Sequence, residues 1–328
     1  EGSANDLAIW IQKRSWSKLR LFIGDLKDDS KRDTIVGLLS EKTQYVPILA
    51  PLLWETDGVI HCLIQEILSI FPKVRDSSLS ETEADKVSNI ITIFQYMAMN
   101  TDVRHLMLES KLHKCLLPLL TNTSQVKPLQ YLRLSTLGFV GVLLRFQDDK
   151  IMTELIGCNL FPLCVNILKK DSMLAKTVAI RIIERLIYHQ VGYAELYENK
   201  ELFDHILDGI NHFASSICSS LSTHLMVDGV VSDCDAQDFF KTKIQHDQIC
   251  QDQIRILCHA LKCYIRMTYC PGGAIAVFKD LPRSVNNVYK MASNDPKFKE
   301  FYSKLASRLR ASSQVAQIRF DNERKRGP

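Results

Sequence analysis

The chain has 328 residues, of which 46% are hydrophobic and 24% charged, a composition that supports a sizeable core in one elongated domain or two compact ones. Its 13 glycines and 10 prolines are few for this length, and no alternating strand pattern bounded by Asn-Gly or Asp-Gly turns occurs, so the expected class is all-α. The net charge is +4, and the segment 308–328 carries it all, with Arg308, Arg310, Arg319, Arg324, Lys325 and Arg326 against Asp321 and Glu323. The remaining body is neutral, which argues against a dedicated nucleic-acid-binding face.

Residues 1–4 are read as a cloning remnant, since Glu1-Gly2-Ser3 lacks an initiating methionine. Between residues 5 and 40 short helical patterns recur, with Trp10 and Trp16 expected as core anchors. Pro47 and Pro51 restrict the start of the next segment, Gly58 permits a bend, and a helix is predicted to reach Phe71 and stop at Pro72. A polar loop over Lys73–Ser80 precedes an amphipathic helix, Ala84–Asn100, with Val87, Ile90, Ile91, Phe94 and Met97 inside.

The stretch Pro128–Arg145, PLQYLRLSTLGFVGVLLR, has apolar residues at three- and four-residue spacing and further apolar residues around most of its circumference, the mark of a deeply buried helix. Pro128 suits a first helical turn. Gly138 and Gly141 lie mid-helix, each costing about 1 kcal/mol against alanine, so something is expected to approach the backbone there: a neighbouring helix or a partner's segment.

Leu117-Pro118-Leu119 and Phe161-Pro162-Leu163 stand 44 residues apart, each followed by a polar loop and a long helix (131–145 and 174–188). That period belongs to armadillo or HEAT repeats, whose units stack into a curved solenoid with long third helices lining a groove for extended partner segments. Long helices are predicted over Glu201–Ile217 and Asp247–Thr268, with shorter ones over Ala274–Phe278, Ser284–Met291 and Phe298–Leu309. An insertion of about 215–250 is expected to be a loop on its serine, glycine and aspartate content, and the basic tail 311–328 to be disordered.

The ten cysteines are scattered through apolar helical patterns without a C-x-x-C, as in a reducing intracellular compartment. No apolar run reaches the roughly 18–20 residues of a membrane span, and the expected location is the cytoplasm, with the nucleus as a second site. No phosphate loop, G-x-G-x-x-G, H-E-x-x-H or G-x-S-x-G occurs, so no catalytic residue or cofactor is assigned. Cys250, Cys258, His259, Cys263 and Cys270 fall along one predicted helix without ligands from a second element, so they are read as core residues and no metal is assigned.

The segments VPILAPLLW, GVIHCLIQEILSIFP, PLQYLRLSTLGFVGVLL, PLCVNILKK, MLAKTVA and LKCYIRM occur in the same order as in the "required for cell differentiation" family, the armadillo-repeat subunit of the CCR-NOT mRNA deadenylation complex. The chain closely resembles that family over roughly residues 35–290. The resemblance implies six armadillo repeats, no catalytic activity, docking onto the NOT scaffold subunit, and a groove for short helical motifs of mRNA-binding repressors. It places the groove on Asn89, Tyr131, Gly138, Thr177 and Val178, and scaffold docking on Glu55, Asp57, His61 and Leu68. Most members carry less acidic and smaller residues at the first three docking positions. A tyrosine and an arginine of the family's tryptophan-binding pockets align with Lys200 and Leu202. The family's basic cleft keeps Arg255 but meets Gly272 and Ala274 where arginines stand. The competing reading is a nucleic-acid-binding solenoid using Arg255, Lys262, Arg266 and the basic tail. An enzyme has no supporting constellation.

Overall fold

Local signals set the helix starts. Ser80 and Glu83 form a reciprocal capping box in which each side chain accepts the other's backbone N–H, and Asp28, Asn100 and Asp148 cap three other helices through their carboxylate or amide oxygens. The computed structural model describes residues 4–227, 236–291 and 295–325, and among the described residues there are helices and no strand. The all-α expectation holds.

In chain order the helices are α1 (Ala4–Gln12), α2 (Trp16–Gly24), α3 (Asp29–Glu41), α4 (Val46–Glu55), α5 (Val59–Ser69), α6 (Phe71–Arg75), α7 (Glu81–Met97), α8 (Thr101–Glu109), α9 (Leu112–Leu116) and α10 (Lys127–Leu143). They continue with α11 (Asp149–Gly157), α12 (Leu160–Lys170), α13 (Met173–Tyr188), α14 (Gln190–Glu198), α15 (Lys200–Val227), α16 (Ala236–Met267), α17 (Gly273–Asp280), α18 (Arg283–Met291) and α19 (Pro296–Lys325). The chain divides into two compact units, Glu1–Leu163 with Lys170–Val178, and Cys164–Lys169 with Ala179–Pro328.

In the first unit α7 and α10 pack along each other at the centre, and α3, α4 and α5 also lie against α7. The five α7 residues expected inside are all buried, as are Leu132, Leu137, Phe139, Val140 and Leu143 of α10. Each such side chain contributes roughly 1.5–3 kcal/mol by leaving water. One charged pair lies in this core, Arg133 with Asp171, both fully buried. The guanidinium holds the carboxylate through Nε and one terminal nitrogen, and donates to the carbonyls of Asn122 (2.7 Å) and Ser124 (2.9 Å). It thereby fixes the 121–126 loop and the start of α13 to α10.

In the second unit α16 packs against α15 and α19, while α15 also meets α18. Phe213, Ile217 and Leu221 of α15 are buried, and the buried Tyr264 hydroxyl donates to Asn211 Oδ1 (2.7 Å). Arg308 of α19 lies 3.5 Å from the Tyr269 ring centre and donates to Thr268 Oγ1 (2.7 Å).

Four expectations change. Trp10 is half-buried, edge-on to Phe22, but Trp16 is 48% exposed because Leu19, Phe22 and Ile23 fill the inner face of α2. Pro72 does not end a helix; it sits in the first turn of α6, where its missing N–H costs nothing. The expected loop over 215–250 is helical through Val227 and from Ala236, and residues 228–235 lie outside the described residues. Phe213, Ile217 and Leu221 repeat every four residues and carry α15 through its serines. The expected disordered tail is instead part of α19 through Lys325, since no glycine or proline interrupts 297–325; residues 326–328 lie outside the described residues, as do residues 1–3 of the expected cloning remnant.

Candidate functional site

A helix packed on several sides keeps one narrow stripe accessible, and the position of that stripe follows from which residues the neighbours cover. On α10 the stripe is Tyr131, Leu134, Ser135, Gly138, Gly141 and Val142, continued by Arg145 in the turn after the helix; Tyr131 and Arg145 are exposed, the others are partly exposed, and the residues between them are buried. The same spacing recurs on α7 with Ser88, Asn89, Thr92, Gln95 and Tyr96, and on the first turns of α13 with Leu174, Thr177 and Val178. All five groove residues implied by the family resemblance therefore fall on these stripes, within the first unit.

Gly138 and Gly141 differ in their surroundings. A Cβ built on Gly138 would stand 2.8 Å from Gln95 Nε2, whereas one on Gly141 meets nothing within 4 Å. The Gln95 amide reaches across from α7 and donates to the Ser135 carbonyl (2.8 Å). What a side chain would meet at Gly138 is thus itself a flexible side chain. At the N-terminal end of the stripe Tyr131 is 43% exposed, with Lys127 Nζ 5.7 Å from its ring centre. Thr177 bonds back to the Met173 carbonyl (2.8 Å), which satisfies its hydroxyl and leaves its methyl group beside Leu174 and Val178 on the accessible face of α13.

The proposed docking residues form a separate surface. Glu55 ends α4, Asp57 lies in the turn, and His61 and Leu68 lie two turns apart on α5, all four exposed. Gly58 adopts φ +78°, the left-handed conformation that lets the chain turn sharply from α4 into α5. On the inner side of α5, Glu66 accepts from Arg32 (2.7 Å) and pairs with Lys86 (2.9 Å), which also pairs with Asp33 (2.9 Å). Burial alone would lower the Lys86 pKa, but its two carboxylate partners raise it above the usual lysine value.

The cationic residues read as a nucleic-acid cleft lie on α16 in the second unit. Arg255 is exposed and pairs with Asp252 (3.2 Å). Lys262 binds Glu184 (3.1 Å), which also pairs with His259, and Arg266 donates to the Ile187 carbonyl (3.1 Å) over the Tyr193 ring (3.7 Å). All three cations therefore have partners within the fold, Arg255 on the exposed surface and Lys262 and Arg266 partly buried. Cys258, Cys263 and Cys270 are buried, and burial pushes the Cys258 thiol up to about 11 and Cys263 well above its usual value, which keeps them protonated and unreactive. No group of three metal-ligating side chains occurs among the described residues, and no single helix is long and apolar enough to cross a membrane.

Two residues of this arrangement escape a reading of the sequence. Gln95 follows the buried Phe94 and reads as a solvent-facing helix residue, and Asp171, 38 residues from Arg133, reads as a loop acid. The only local trace is an arginine within an otherwise apolar helix, at Arg133.

The model of the cell differentiation family, Rcd1-like, matches residues 22–232, a span that contains every groove and docking residue above and none of the α16 cations. The chain is 26% identical over 266 residues to cell differentiation protein rcd1 of Schizosaccharomyces pombe, covering 81% of this chain and 83% of that protein. It is 28% identical over 230 residues to protein CAF40 of Saccharomyces cerevisiae, covering 70% of this chain but 54% of that protein, so it spans about half the length of the latter relative. With well over half of its length matched by the family model, the chain belongs to the Rcd1-like cell differentiation family.

Proposed function

We propose that the chain is a non-catalytic adaptor of the CCR-NOT deadenylation complex, built of armadillo-type repeats. In this reading it docks on the NOT scaffold subunit through the exposed face of α5 and receives short helical motifs of mRNA-binding repressors along α7, α10 and α13. It supports mRNA deadenylation, decay and translational repression in the cytoplasm, with the nucleus as a second site. The observation that carries the reading is Gly138: a backbone position without a side chain, in the middle of a half-exposed stripe, covered by a movable Gln95. An amphipathic helix gains its affinity from close approach to such a surface.

The test is a fluorescence titration with a labelled motif peptide from an mRNA-binding repressor, beside thermal melts. Gly138→Trp fills the space above α10, and Val178→Glu puts a charge on a surface the ligand must desolvate, at a cost of several kcal/mol if unpaired. Both variants are expected to melt near the wild type and to bind at least tenfold more weakly. A Gly138→Trp protein that binds normally overturns the groove; one that melts early identifies Gly138 as core.

A further inference from the structure

Outside the span matched by the family model, α17, α18 and α19 enclose a hollow of ≈450 Å³ within the second unit. Its floor is aliphatic, made by Leu281, Leu305 and Leu309. At its lip Phe278 is 60% exposed, and Ile275, one turn earlier on α17, is 55% exposed. Single exposed apolar residues are ordinary on protein surfaces, but two large ones in one turn beside an apolar hollow make a contiguous patch.

The rim has one sign of charge. Lys279, Arg283 and Arg310 line the hollow and no carboxylate does. Lys279 and Arg283 are exposed and make no ion pair among the described residues, although Asp280 is adjacent in sequence. The wall is held in place: Tyr302 donates to Asn286 Oδ1 (2.8 Å) and stacks on Tyr289 with ring centres 3.9 Å apart.

We propose that this hollow is a docking site for an acidic amphipathic segment of a protein partner, in which one bulky apolar side chain enters the hollow and flanking Asp or Glu residues pair with Lys279 and Arg283. The volume falls in the range of about 300–1,000 Å³ typical of ligand pockets, enough for a leucine or an aromatic ring. Two other occupants fit the observations less well. Single-stranded RNA needs successive stacking platforms and a track of cations along its backbone, whereas here the floor is aliphatic and the cations surround one hollow. A second copy of the chain in a two-fold arrangement would bring Lys279 and Arg283 toward their own equivalents, like charge against like. The proposal is independent of the α10 groove, since it uses other elements and another unit.

The experiment is selection of random sixteen-residue peptides displayed on phage against the full chain, followed by anisotropy titrations of the selected peptides. The expected consensus is an apolar residue flanked by Asp or Glu. Its binding should weaken at least tenfold in Lys279→Glu/Arg283→Glu and in Ala306→Trp, which fills the hollow, and should weaken as salt is raised. The charge reversals are at exposed positions and are expected to leave the melting temperature unchanged, so the pair of variants separates lost binding from lost folding. Lack of enrichment, a basic or purely apolar consensus, or binding indifferent to both variants overturns the proposal. So does displacement of the selected peptide by a twelve-residue polyuridine at equal concentration, or a concentration-dependent dimer in light scattering that the charge reversal abolishes.

Discussion

Arg133→Met removes the cation of the fully buried ion pair. It deletes the bidentate pairing to Asp171 and two bonds to the Asn122 and Ser124 carbonyls, and it leaves a fully buried carboxylate whose remaining described donor is the Ser172 N–H at 2.7 Å. Removing one partner of a buried pair costs about 3–5 kcal/mol, because the other charge stays in a medium that cannot solvate it. At about 2–4 °C per kcal/mol for a cooperative unit of roughly 150–250 residues, the melting temperature should fall by about 6–20 °C. Asp171→Leu should cost a similar amount, since it strands the guanidinium with two carbonyls. The double variant removes both charges, so it should lose less than the sum of the two, by about 2 kcal/mol or more. Urea unfolding followed by far-UV circular dichroism gives all three values. Single variants that each lose under about 1 kcal/mol, or a double variant that is additive, would refute the argument, since the pair would then behave as a solvated surface bridge.

Three further outcomes are expected. Gly141→Ala should raise stability by about 1 kcal/mol, the helix-propensity gain with no steric offset, while Gly138→Ala should be near neutral because displacing Gln95 from Ser135 cancels it; equal effects in thermal melts would contradict the difference in surroundings. His113 is buried, with no hydrogen bond to either ring nitrogen and Nε2 3.6 Å from Glu154, and burial lowers its pKa below the usual value. The unfolded chain therefore takes up the proton first, so stability is full above about pH 6.5 and falls as the pH drops from there toward the folded-state value. The slope of stability between pH 7.5 and 5.5 should flatten in His113→Leu, and an unchanged slope would remove His113 as its source. His61→Glu with Leu68→Arg changes two exposed positions, so it should leave the melt unaltered while releasing the scaffold subunit in co-purification; retention at wild-type level would place docking elsewhere.

The interior of α7 was legible because burial there follows helical spacing alone: Val87, Ile90, Ile91, Phe94 and Met97 are apolar for a local reason. Gly138 and Gly141 have the same local signature, yet an added Cβ would meet another side chain at Gly138 and not at Gly141, since what approaches Gly138 comes from a segment about 40 residues away. Arg133 shows the same limit, as its partner is distant in sequence and leaves no periodic trace. Composition misled where it was read without spacing, in the serines of α15 and the charges of α19, because a few apolar residues at the right interval outweigh a polar background. The groove and docking positions came from family resemblance, and no local pattern singles out Asn89 or Thr177.

Glu66 has a consequence for the kinetics of anything that meets α5. This carboxylate sits on the side of the helix away from His61 and Leu68, shared between Arg32 of α3 and Lys86 of α7, and rolling α5 about its axis would break both of these pairs. The two pairs favour one rotational setting of the helix, which holds its outer side chains in register before any encounter. The rotational freedom of α5 is lost during folding and not on association. A surface so prepared needs little rearrangement on contact, which leaves differences in lifetime, not in rate of capture, to distinguish one partner from another.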